Sequence, residues 1–187
     1  MDVKIELRRK ADDHLAAICR EARQGKINDM RTRLDEWKAF VIGGDLVGPP
    51  PLLRQRWLNN PCPWQHHFRL RNYMDWRTPE ALWIINEGEK RNPVVRKPKS
   101  GVRTPYRLIV DHSVPVVVLR EHILENRSLW EPQSLEAFLE SWYRRGVLTK
   151  DQDRQLDEAG LRQRMPSGWT FGNDPFARYT KVGLTHA

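Results

Sequence analysis

The sequence predicts an α+β fold in one compact domain: an N-terminal helical hairpin, a small β-sheet and C-terminal helices. Three observations carry the prediction. Apolar residues in the first 45 positions recur at steps of three and four, residues 106–111 (YRLIVD) alternate strictly, and beyond Pro115 helical stripes return with capping residues or glycines at their ends.

The first helix shows Leu7, Ala11, Leu15, Ile18 and Ala22 on one stripe, with Arg, Lys and Asp between them, and Gly25 ends it. Asn28 can accept a hydrogen bond from the free amides of a second helix. There Met30, Leu34, Trp37 and Val41 repeat the spacing as far as Gly43-Gly44. Residues 1–47 therefore read as a helical hairpin. Two helices cannot bury two stripes alone, so they must pack on the rest of the chain or on a second copy in a homodimer.

Residues 48–187 read as an α+β body. Its first stretch, GPPPLLRQRWLNNPCP, has too many prolines for a helix. Leu82 to Ile85 make a short apolar run suited to a strand, and residues 106–111 make a second, with Tyr106, Leu108 and Val110 on one face and Arg107, Ile109 and Asp111 on the other. Pro115 suits the first turn of a helix over Val116, Leu119 and Ile123. Ser134 caps another with Leu135, Phe138, Leu139 and Trp142 as its stripe. Val147-Leu148 suits a short strand, and Thr149 caps a helix whose Asp151 and Asp153 match its positive end. The tail carries Trp169, Phe171, Phe176 and Tyr179, which are expected to fold back over the core.

With 32 Lys+Arg against 24 Asp+Glu in 187 residues, the formal charge is +8, which favours polyanionic partners. Two cysteines, Cys19 and Cys62, exclude a disulfide framework. No stretch approaches the roughly 20 apolar residues of a membrane span, and the N-terminus lacks the apolar core of a secretory signal. The expectation is a soluble, cytoplasmic protein without a membrane partner.

The charge concentrates in one place. No acidic residue occurs from Lys90 to Val110, while Lys90, Arg91, Arg96, Lys97, Lys99, Arg103 and Arg107 are all cationic. Arg69 and Arg71 lie upstream with Tyr73 and Trp76 nearby. Cations neutralise phosphates and aromatics stack on unpaired bases, so the loop 90–107 is the candidate nucleic-acid contact, for DNA or RNA; an acidic protein surface would suit it too.

Asp111 and His112 form the one place where strand, acid and histidine meet. An acid at a strand end can hold a divalent metal, and a histidine beside it can take a proton from water. The string VDHSVP resembles the first strand of the HNH, or ββα-metal, nucleases. That resemblance implies a metal-dependent endonuclease with His112 as general base and Asp111 as ligand to magnesium or a similar ion. His122 and Asn126 are the nearby residues for the further metal ligands. On the residues alone, Asp111-His112 can instead be a strand-to-helix corner bonded to backbone amides. The chain is then a non-enzymatic basic regulator or inhibitor with no cofactor.

Cys62 with His66 and His67 offers zinc-type donors at a poor spacing, since adjacent side chains of an extended segment point apart. There is no glycine-rich phosphate loop and no Gly-x-Ser-x-Gly.

Overall fold

A computed structural model describes residues 3–45, 74–90 and 108–186 of the chain. Its elements, in order, are α1 (Val3–Arg23), α2 (Met30–Asp45), β1 (Trp76–Arg77), α3 (Pro79–Lys90), β2 (Leu108–His112), α4 (Val116–Glu125), α5 (Pro132–Trp142), β3 (Arg145–Thr149), α6 (Lys150–Glu158) and α7 (Ala177–Lys181). The α+β class is as the sequence indicates. The chain divides into two compact units: Met1–Leu53 with Val114–Tyr143, and Arg54–Ser113 with Arg144–Ala187.

The first unit is helical. The α1 stripe of Leu7, Ala11, Leu15, Ile18 and Ala22 is buried throughout, as are Met30, Leu34 and Trp37 of α2. Each large apolar side chain so buried contributes about 1.5–3 kcal/mol. Helix α2 runs through Gly43 and Gly44 to Asp45 rather than stopping at them, because two glycines weaken a helix without forbidding it. The remaining cover comes from within the chain. Helices α4 and α5, which bury Leu119, Ile123, Leu135 and Leu139, pack against the hairpin, so burial of its stripes does not require a second copy. Ser134 does act at the start of α5, from inside the helix: its hydroxyl accepts from the Glu131 amide at 3.1 Å, as half of a reciprocal cap.

The second unit holds a three-stranded mixed sheet in the order β1-β3-β2. Strand β3 is central and wholly buried, parallel to β1 and antiparallel to β2. Residues 82–85, expected as a strand, belong instead to helix α3. Thr78 caps that helix, its Oγ1 accepting from the Ala81 amide at 3.2 Å, and Ala81, Ile84 and Ile85 form a buried face at helical spacing. Four apolar residues in a row resemble a strand, but only three of positions 81–85 face inward.

One side chain ties the two strand-to-helix passages together. Gln152 Oε1 accepts from Thr78 Oγ1 at 2.8 Å and from the Thr149 amide at 2.9 Å, and its Nε2 donates to Glu80 at 3.3 Å. At the sheet centre, Trp76 lies over Gly146, where a Cβ would stand 1.9 Å from a ring carbon. Hence glycine is required there. Around Trp76 gather Leu148, Leu156, Leu161, Phe176 and Tyr179, so the tail does fold back onto the core through its last two aromatics. Trp169 and Phe171 pair with each other, centroids 5.0 Å apart, in a turn braced by a bond from Trp169 Nε1 to the Asp174 carbonyl at 2.8 Å.

Candidate functional site

Strand β2 ends at Asp111 and His112, opposite Gly146 and Arg145 of β3. The alternation of the strand puts Ile109 and Asp111 on the same face, towards the Trp76 core and helix α7. From α7 the guanidinium of Arg178, fully buried, reaches the end of the strand.

Every donor of that guanidinium is used. Nε donates to the Ser113 carbonyl at 3.1 Å, and Nη1 to the carbonyls of Leu161 and Arg162 at 2.9 and 3.3 Å. Nη2 donates to Asp111 Oδ2 at 2.5 Å and to the His112 carbonyl. A guanidinium has five N–H donors, and here they meet five oxygens on two other stretches of chain. Tyr179, next along α7, adds its hydroxyl to Asp111 Oδ2 at 2.9 Å and to the His112 carbonyl at 3.0 Å. Burial, then the neighbouring Asp111 charge, push the Tyr179 phenol well above its ordinary range, so it stays a neutral donor.

This arrangement bears on each residue of the candidate metal site. Asp111 is the acid of a buried ion pair, its side chain 19% exposed. A divalent cation on its carboxylate would stand close to the guanidinium charge in a poorly screened setting, which is unfavourable. His112 is buried as well, 5% exposed, its carbonyl held by the same clamp, whereas a general base must reach the proton it takes directly or through one water. At this strand end Asp111 is bonded by the Arg178 guanidinium and the Tyr179 hydroxyl, where the corner reading has backbone amides.

His122 and Asn126 lie in the other unit. The imidazole of His122 is stacked on Phe138, centroids 5.1 Å apart, and edge-on to Trp130 at 6.1 Å. Asn126 Nδ2 donates to the His122 carbonyl at 2.9 Å and lies 3.4 Å from its Nδ1. Burial holds the His122 imidazole below its usual pKa. Both residues thus close the C-terminal turn of α4 beside an aromatic nest. Among the described residues no three His, Cys, Asp or Glu side chains converge as a metal-binding group.

The cationic candidates Arg69, Arg71, Arg91, Arg96, Lys97, Lys99, Arg103 and Arg107 lie outside the described residues, as do Tyr73, Cys62, His66 and His67. Trp76, expected to stack on bases between the arginines, is instead a core residue, 2% exposed. What the structure adds is where the charge belongs. The unit that contains the cationic run has 20 Lys+Arg against 10 Asp+Glu, a formal +10, while the helical unit has 12 against 14, a formal −2. All of the net positive charge is therefore in one unit.

No family model, no curated protein and no solved structure matches this chain. Among the described residues no helix is long and apolar enough to cross a membrane.

Proposed function

We propose that the chain is a nucleic-acid-binding protein that holds the phosphate backbone of DNA or RNA with the cationic segment 90–107, together with Arg69 and Arg71, and works by binding rather than cleavage. The observation that carries this reading is the segregation of charge. A +10 unit and a −2 unit in one chain concentrate the field where a polyanion is to be held, instead of spreading solubilising charge evenly. Asp111 and His112 serve the fold in this reading, and no metal or other cofactor is needed. A cytoplasmic setting belongs to it.

The test is fluorescence anisotropy with labelled DNA and RNA, single-stranded and duplex, across roughly 50 to 200 mM salt. Binding should weaken linearly in the logarithm of salt concentration. Lys97→Gln with Lys99→Gln should reduce the slope by about two, one for each phosphate no longer neutralised. Absence of binding at the lowest salt would sink the proposal. Incubation with magnesium should leave the strands intact; metal-dependent cutting that disappears in His112→Ala would restore the nuclease reading.

A further inference from the structure

Helix α2 is held unevenly along its length. Met30, Leu34, Trp37 and Lys38 are buried, but among the described side chains of α2 beyond Lys38 none is. The far end also carries Gly43 and Gly44, poor helix formers, and its last turn has no basic residue to meet the negative end of the helix dipole. Phe40 ties this end to α1. The His14 imidazole of α1 stacks on its ring, centroids 5.6 Å apart and planes 23° from parallel, and Lys10 Nζ stands 5.9 Å from the ring centroid.

His14 suits that place in one protonation state. Its Nε2 lies 3.4 Å from Glu36 Oε2, whereas its Nδ1 is buried with no hydrogen-bond partner among the described residues. A neutral imidazole with its proton on Nε2 meets Glu36 and leaves only a lone pair unmet; an imidazolium must bury a second N–H that no acceptor reaches. The charges facing the ring do not reverse this. Burial is the largest influence and holds the imidazole below its usual pKa; Glu36 from α2 and Asp13 from α1 favour the cation, and Arg33 from α2 opposes it. Helices α4 and α5, which also pack against α1, bring no charge to bear on the ring among the described residues. Glu136 of α5 and Glu131 just before it are engaged by Arg8 and Arg23.

We infer that His14 is a pH-operated latch: neutral, it pins the last two turns of α2 to α1 through Phe40, and protonated, it releases them while the rest of the hairpin stays closed. Opening the end of α2 hands the imidazole to water, where it takes up a proton more readily, so acid favours the open form. The rest of the hairpin is secured separately, by the buried stripe from Leu7 to Ala22 on α1 and by Met30, Leu34 and Trp37 on α2. The latch does not depend on what the cationic unit binds.

The test follows the full-length chain by NMR, reading the backbone shifts of α1 and α2 together with the His14 ring as pH falls from about 7.5 to about 5, on either side of the ordinary histidine value. In wild type the helical shifts of residues 39–45 should be lost in step with the titration of His14, while those of residues 7–22 and 30–37 hold. His14→Gln, which cannot take the proton, should keep the shifts of 39–45 over the whole range. Glu36→Gln removes an attraction that the closed form offers the cation, from a side chain 40% exposed, and should move the release to higher pH. Helical shifts of 39–45 that persist while His14 titrates, the same loss in His14→Gln, or joint melting of α1 and α2 would each overturn the latch. Should His14→Gln fail to fold, Glu36→Gln still decides, since a release that it leaves unmoved would overturn the latch as well.

Discussion

In the helical unit, distant segments are joined at the surface. Arg8 of α1 grips Glu136 of α5 through two bonds of 2.8 and 2.5 Å with its own side chain 51% exposed, and Arg23 reaches the Trp130 carbonyl at 2.9 Å and the Glu131 carboxylate. In the cationic unit the corresponding tie is Arg178, fully buried, joining α7, the end of β2 and the 161–162 segment with five bonds. Exposed pairs are screened and worth at most about 1 kcal/mol, whereas a buried cation costs several if its partner is taken away. The unit with the excess of positive charge thus spends one arginine internally, and that arginine occupies the acid the sequence offers as a metal ligand.

Three perturbations would break or sharpen this contrast. The largest effect is expected from Arg178→Leu, which strands the Asp111 carboxylate and removes the donor from the carbonyls of Ser113, Leu161 and Arg162. Loss of one partner of a buried pair should cost about 3–5 kcal/mol, read from chemical denaturation. Adding Asp111→Leu to it should restore only part, because the guanidinium donors to the backbone carbonyls stay lost; full recovery would mean that the charge alone mattered. Far smaller is Arg8→Ala, at about 0.5 kcal/mol and less at high salt, and a loss above about 2 kcal/mol would remove the distinction between the two ties.

The third is a difference in pH response. In the helical unit His14 stacks on Phe40 at 5.6 Å, with Nε2 3.4 Å from Glu36, and its Nδ1 is buried without a partner among the described residues. Burial holds this imidazole below its usual value, the Arg33 charge adding to that and Glu36 opposing it. The unfolded chain therefore takes up the proton first, and stability contributed by neutral His14 is lost as pH falls below about 6.5. Asp153 of the cationic unit is shifted the other way: burial, then the Asp111 charge, raise its carboxyl, so the folded state takes up the proton first and gains from acidification at lower pH. Denaturation midpoints at several pH values should show His14→Gln losing less than wild type between about pH 7 and 5. Parallel curves would assign the acid response elsewhere.

Much of the helical unit was legible because a helix announces its buried face every three or four residues. All five residues of the α1 stripe are buried, and the cap at Gly25 falls where glycine chemistry places it, as does Thr149 in the cationic unit. Strand β2 was legible from its alternation. Helix α3 was not, since a four-residue apolar run suits either period, and the deciding signals were Thr78 before it, Pro79 as its first residue and the spacing of Ala81, Ile84 and Ile85. At the candidate site the sequence singled out Asp111 and His112, which the structure places at the end of β2. It could not show that an arginine 67 positions away would claim the carboxylate.

Composition fixed the sign of the charge, and local periodicity fixed most helices, because both are properties of neighbouring residues. Which acid is paired and which tryptophan is buried depend on segments that meet only after folding. Trp76 and Trp83 lie seven residues apart, but one lies beneath the core aromatics of the tail and the other faces water. That separation, like the gathering of net charge into one unit, follows from chain stretches distant in sequence packing together, and so only the tertiary structure decided it.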